Sequence, residues 1–143
     1  MTARIKVLIA EDEPEVLEIM AKRVEWEGYE VITASDGEEA WAKIQQQAPD
    51  VILLDLTMPK MDGITVLKNL RNSPPTDKWQ PVIIVSARDE FIDLQKGFSL
   101  EADHYLTKPC RVEEVIKAIR LMVNLLPQRR AMNDTSGDGT PPV

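Results

Sequence analysis

Short apolar runs alternate along this chain with longer segments whose apolar residues recur at helical spacing. The runs "KVLIA" (6–10), "EVITA" (30–34), "DVILLD" (50–55), "PVIIVSA" (81–87) and "HYLT" (104–107) predict five strands. Between them, Pro14 at a first helical position opens a helix with Val16, Leu17, Met20 and Val24 on one face, and Gly28 ends it. Asp36 and Glu39 have capping-box spacing ahead of Ala40, Trp41 and Ile44. Asp62 can cap a helix carrying Ile64, Val66, Leu67 and Leu70, and Asp89 one carrying Phe91, Leu94 and Phe98. A last helix is expected from about Arg111 to Leu126, with Pro127 as its stop. Strict strand–helix alternation implies an α/β fold: a five-stranded parallel sheet, doubly wound as (βα)5 and covered on both faces. In such sheets the ligand site lies outside the carboxyl ends of the strands.

Two segments break the pattern. "RNSPPTDKWQP" (71–81) reads as an ordered surface loop with Trp79 packed back on the body. Residues 127–143, polar and rich in Gly, Pro, Ser and Thr, read as a disordered tail or the start of a linker, which leaves 4–126 as one domain. At 143 residues and 43% hydrophobic, the chain is long enough to bury one core. Its formal net charge of −7 argues against a direct nucleic-acid partner. There is no apolar run long enough to span a bilayer, and "MTARIKVLIAEDE" turns acidic too early for a secretion signal, so a cytoplasmic protein is expected. Cys110, the single cysteine, cannot form an internal disulfide.

The strand ends carry the chemistry. Strand one ends in Glu11 and Asp12, strand three in Asp55, strand four in Ser86, and strand five in Thr107, Lys108 and Pro109. The topology brings these to one rim. Carboxylates about 4 Å apart at an effective dielectric near 20 repel by roughly 4 kcal/mol per pair. One lysine cannot balance three of them, so a hard, partly hydrated divalent ion is expected, and in the cytoplasm that is Mg²⁺. A carboxylate held beside a cation and an ammonium group can attack a phosphoryl group, with the cations stabilising its equatorial oxygens.

"LIAEDEP", "VILLDLTMPKMDG", "IIVSA" and "ADHYLTKP", in this order, make residues 4–126 resemble the receiver domain of bacterial two-component response regulators, a flavodoxin/CheY-like fold. The resemblance implies that Asp55 is the phosphoacceptor. It further implies that Glu11, Asp12, Asp55 and the backbone carbonyl of Thr57 hold Mg²⁺. Ser86 and Tyr105 become the switch residues, Lys108 the phosphate-binding lysine, and Lys108–Pro109 a cis peptide. Thr57 and Arg88 are candidates for tuning phosphate lifetime. The implied partners are a sensor histidine kinase or phosphotransfer protein and a downstream protein target. Signalling would run through the surface of the fourth helix, fifth strand and fifth helix, which could also form a homodimer. The chain would be a phosphoacceptor signalling domain rather than an enzyme.

Some positions depart from the family pattern. Glu101 stands where glycine is usual, Arg111 where a capping residue is usual, and His104 where an acid or amide is frequent. These bear on partner choice and switching rather than on the acidic pocket. A haloacid-dehalogenase-like phosphatase would need an aspartate at position 57, and a flavodoxin-like protein would need a phosphate loop where "EDEPE" stands. Two alternatives remain open: a phosphorylation-independent interaction module, and the receiver part of a longer regulator. On the last helix, Leu121 and Leu125 with Ala118 form a second apolar stripe, expected to be exposed and to contact a dimer mate or partner.

Overall fold

Each central strand places alternate apolar side chains on opposite sides, and two separate cores result. The computed structural model describes residues 4–87 and 102–136, with side chains through Pro127. Strands β1 (Lys6–Ala10), β2 (Glu30–Ala34), β3 (Val51–Asp55), β4 (Val82–Ala87) and β5 (His104–Lys108) form one parallel sheet in the order β2-β1-β3-β4-β5. The helices among the described residues are α1 (Pro14–Trp26), α2 (Gly37–Gln47), α3 (Gly63–Asn72) and α4 (Val112–Ser136). Leu8, Ala10, Ile52, Leu54 and Ile84 pack with Ile44, Leu67 and Leu70 of α2 and α3. Their strand neighbours Val7, Ile9, Leu53 and Ile83 pack with Val24 of α1 and Ile116, Ile119 and Met122 of α4. This is the five-stranded, doubly wound flavodoxin-like arrangement. Burial on both faces explains why β3 is apolar from Val51 to Leu54.

Local signals set the boundaries. Pro14 opens α1, and Gly28, at φ +103°, follows its last turn in the left-handed region that glycine tolerates. The Asp36 carboxylate caps α2 by accepting from Glu39 N–H at 2.8 Å. The reciprocal half of the capping box is shifted by one residue, because Glu39 accepts from the backbone and hydroxyl of Ser35. Asp62 caps α3 by accepting from Thr65 N–H at 2.8 Å. Arg111 precedes α4 with no capping side chain of its own, and Glu113 and Glu114 occupy the first turn. Trp79 packs against the α1/α4 core, and Gln80, buried, donates to the Pro49 carbonyl, so the loop before β4 is anchored as expected.

Two expectations are corrected. Pro127 does not stop the last helix, which continues to Ser136. A proline inside a helix removes one backbone hydrogen bond, and the turns on either side can still form. The second apolar stripe of that helix is not an exposed surface. Ala118 is buried and Leu125 packs against the α1/α4 core, leaving Leu121 exposed at 48%. The buried arc of α4 is wider than a single heptad-like seam, because Ala118 and Leu125 join the same core as Val115, Ile119 and Met122. The helix expected from Asp89 through Phe98, with Arg88 and Glu101, lies outside the described residues.

Candidate functional site

The chain runs from β1 to β2 on one side and to β3 on the other. The carboxyl ends of β1 and β3 therefore meet at the point where the strand order reverses. Glu11 follows β1 and Asp55 ends β3, and both are only 2% exposed. Carboxylate oxygens of Glu11, Asp12 and Asp55 lie within 4.8 Å of one another. Lys108, at the end of β5, reaches in with its Nζ 2.7 Å from Asp55 Oδ2 and 3.7 Å from Glu11 Oε2. The second oxygen of Asp55, Oδ1, accepts from the Thr57 backbone N–H at 3.1 Å. Asp55 is thus oriented from both sides before anything binds.

The charge balance is incomplete. Burial, then contact with Asp55, pushes the Glu11 carboxyl up to about 8, against a partial counter-effect from Lys108. Burial pulls the Lys108 ammonium down, but Asp55 and Glu11 more than offset this and hold it above its ordinary value. Glu11 Oε1 is buried without a hydrogen-bond partner. Three clustered carboxylates with an orphaned oxygen suit a hard divalent cation, so the residues present fit the metal that the sequence implies.

Ser86 sits at the end of β4 beside β5, one residue pair before Ala87 and Lys108. It is 1% exposed, and its hydroxyl also lacks a hydrogen-bond partner. Tyr105 pairs with Ile84 across the same two strands and packs, partly buried, against the α2/α3 core. The Lys108–Pro109 peptide is cis, as expected. Glu11, Asp12, Asp55, Ser86 and Lys108 therefore gather on one rim, with Tyr105 on the neighbouring stretch of β5. Leu121 lies away from them on α4, and Arg88 falls outside the described residues.

A cavity of about 430 Å³ opens beside this rim, between the sheet, α1 and the start of α4. Its lining includes Glu11, Asp55 and Lys108 together with Ile19, Met20 and Cys110. The sequence reading did not single out Gly63. A Cβ there would lie 2.5 Å from the Asp55 carbonyl oxygen, so α3 can start this close to the acidic rim only on a glycine. The signal was present in "MDG", but the contact is visible only in three dimensions.

Residues 7–120 match the response regulator receiver domain family. The chain belongs to that family. It is 43% identical over 117 residues to the alkaline phosphatase synthesis transcriptional regulatory protein PhoP of Bacillus subtilis, a match covering 80% of this chain and 48% of that protein. It is 38% identical over 118 residues to the DNA-binding dual master transcriptional regulator RpaA of Synechocystis, covering 82% of this chain and 48% of the relative. This receiver chain thus spans about half the length of the curated relatives it matches. Among solved structures, the REC domain of AraT from Geobacillus stearothermophilus superposes with a TM-score of 0.75 at 33% identity, covering 88% of this chain and 98% of that one. The receiver domain of Francisella response regulator 1452 gives 0.73 at 36% identity, covering 82% and 95%. No helix among the described residues is long and apolar enough to cross a membrane.

Proposed function

We propose that this receiver takes a phosphoryl group from a phosphohistidine of a sensor kinase or phosphotransfer protein onto Asp55, and passes the signal on by protein contact. The observation that carries this reading is the state of Asp55. It is a nearly fully buried carboxylate at a strand end, held by the Lys108 ammonium on one oxygen and the Thr57 N–H on the other. In the transfer, an Asp55 oxygen forms the new bond to phosphorus. The P–N bond to imidazole breaks, and its electron pair stays on the ring nitrogen. Glu11, Asp12, Asp55 and the Thr57 carbonyl would hold Mg²⁺, which supplies positive charge against the phosphoryl oxygens. Lys108 contributes a second cation to the same oxygens. A phosphate on Asp55 adds roughly two negative charges at this point. The Ser86 hydroxyl, buried without a hydrogen-bond partner, would donate to one of its oxygens, and movement of Ser86 toward it would leave space for Tyr105 to turn inward. The surface around β5 and α4 then changes shape and is where a target or a second copy binds. Relatives named as transcriptional regulators favour an output at gene expression.

Phosphoramidate tests the transfer, because it presents the same P–N bond as phosphohistidine. With Mg²⁺ it should label the wild type and leave Asp55→Asn unlabelled, and the addition of a chelator should stop the labelling. Equal labelling of both proteins would refute the assignment.

A further inference from the structure

The loop between Asp55 and α3 is held from outside by the start of α2. The first residue of α2, Gly37, lies so close to this loop that a Cβ would sit 1.6 Å from the Met61 carbonyl oxygen and 2.4 Å from its carbon. No real Cβ contact is that short, and the atoms in the way are backbone, so they cannot rotate aside. The Gly37 N–H, one of the helix's otherwise unpaired first donors, donates to the Pro59 carbonyl at 3.3 Å. That carbonyl also accepts from Met61 N–H at 2.8 Å, closing a tight turn around Lys60, whose φ is +71°. The side chain of Lys60 returns to α2, with its Nζ 3.5 Å from Oδ2 of the cap residue Asp36.

We propose that Gly37 is a positioning residue for the metal site: by letting α2 seat directly on residues 59–61, it fixes the short loop that carries Thr57. The inference rests on the receiver reading, in which the Thr57 carbonyl is a metal ligand. Thr57 also donates its N–H to Asp55, so a displaced loop disturbs both the ligand set and the orientation of the acceptor carboxylate. Groups behind the ligands that set their orientation commonly change metal affinity by about 10–100-fold when lost.

The test is titration calorimetry of the full chain with MgCl₂ alone, alongside thermal melts of the same samples. Gly37→Ala is expected to weaken Mg²⁺ binding about tenfold and to lower the melting temperature. Ala48 ends α2 at the far end from this loop, with φ +43°, so Ala48→Gly relieves strain there and stabilises the protein without touching the site. The double variant should recover part of the lost melting temperature and still bind Mg²⁺ more than about threefold more weakly. A double variant within about threefold of wild type would overturn the proposal, because the Gly37 effect would then be one of stability alone. If neither Gly37 variant folds, Lys60→Gln decides. Removing a positive charge should leave Mg²⁺ binding unchanged or tighter by simple electrostatics, whereas loss of the tether weakens it. Weakening supports the proposal, and tightening or no change overturns it. A wild type that binds no Mg²⁺ would remove the receiver reading itself, and this inference with it. Normal wild-type binding with an unaffected double variant removes the inference alone.

Discussion

Replacing Glu11 by Gln tests the electrostatic account of the acidic rim. The carboxyl of Glu11 titrates near its ordinary value of 4.5 in the unfolded chain and at about 8 in the metal-free folded protein. Between those values the folded state holds a proton that the unfolded state has released, so unfolding becomes easier as pH rises. The stabilising contribution of the protonated group is complete below about pH 4.5 and is lost as pH approaches 8. At 1.36 kcal/mol per pH unit, the loss by pH 7 is roughly 3 kcal/mol. Gln keeps the shape and cannot ionise. In a chelator, Glu11→Gln should therefore be more stable than wild type by about 2–3 kcal/mol at pH 7, the gain shrinking towards zero near pH 4.5. At this chain length that corresponds to about 5–10 °C in melting temperature. Urea unfolding at a series of pH values reads the difference directly. Added Mg²⁺ should close the gap by stabilising the wild type more than the variant. A variant that is no more stable than wild type at pH 7 without metal would refute the reasoning.

Other consequences follow from the packing. Ile119→Ala removes a fully buried side chain from the α1/α4 core and should cost about 2–5 kcal/mol in urea unfolding. Asp62→Ala removes the α3 cap and should cost about 1 kcal/mol, whereas Asp62→Asn, which still caps, should cost much less. Leu121→Lys should change stability by no more than about 0.5 kcal/mol, because the side chain is half exposed on α4. If Leu121 contacts a second copy or a target, the same variant should weaken self-association or binding after phosphorylation, measured by sedimentation or pull-down of a defined partner.

The strands were legible because burial on both faces leaves few polar options, and helix starts were legible where Asp36 and Asp62 offer a carboxylate to the first turn. The rim was legible because parallel topology carries every strand end to one edge, so Glu11, Asp55, Ser86 and Lys108 could be associated from their positions alone. Pro127 misled because a proline weakens a helix locally but does not forbid the next turn. Leu125 and Ala118 misled because helical periodicity ranks faces but does not say how wide an arc the sheet covers. The glycines after Asp36 and Asp62 mark where α2 and α3 begin, but the approach of Gly37 to Met61 and of Gly63 to Asp55 joins separate elements and is not encoded in local spacing. The incomplete charge balance of Glu11 likewise emerges only when burial and neighbours are known together.

The central claim is that Asp55 is the phosphoacceptor. The most direct measurement is intact mass spectrometry after incubation with acetyl phosphate, with and without Mg²⁺, on the wild type and Asp55→Asn. The account predicts a gain of one phosphoryl mass in the wild type with Mg²⁺, mapping to the peptide that contains Asp55, and no gain in the variant or without the metal. A gain that survives Asp55→Asn, or none under conditions that label an authentic receiver, would contradict it.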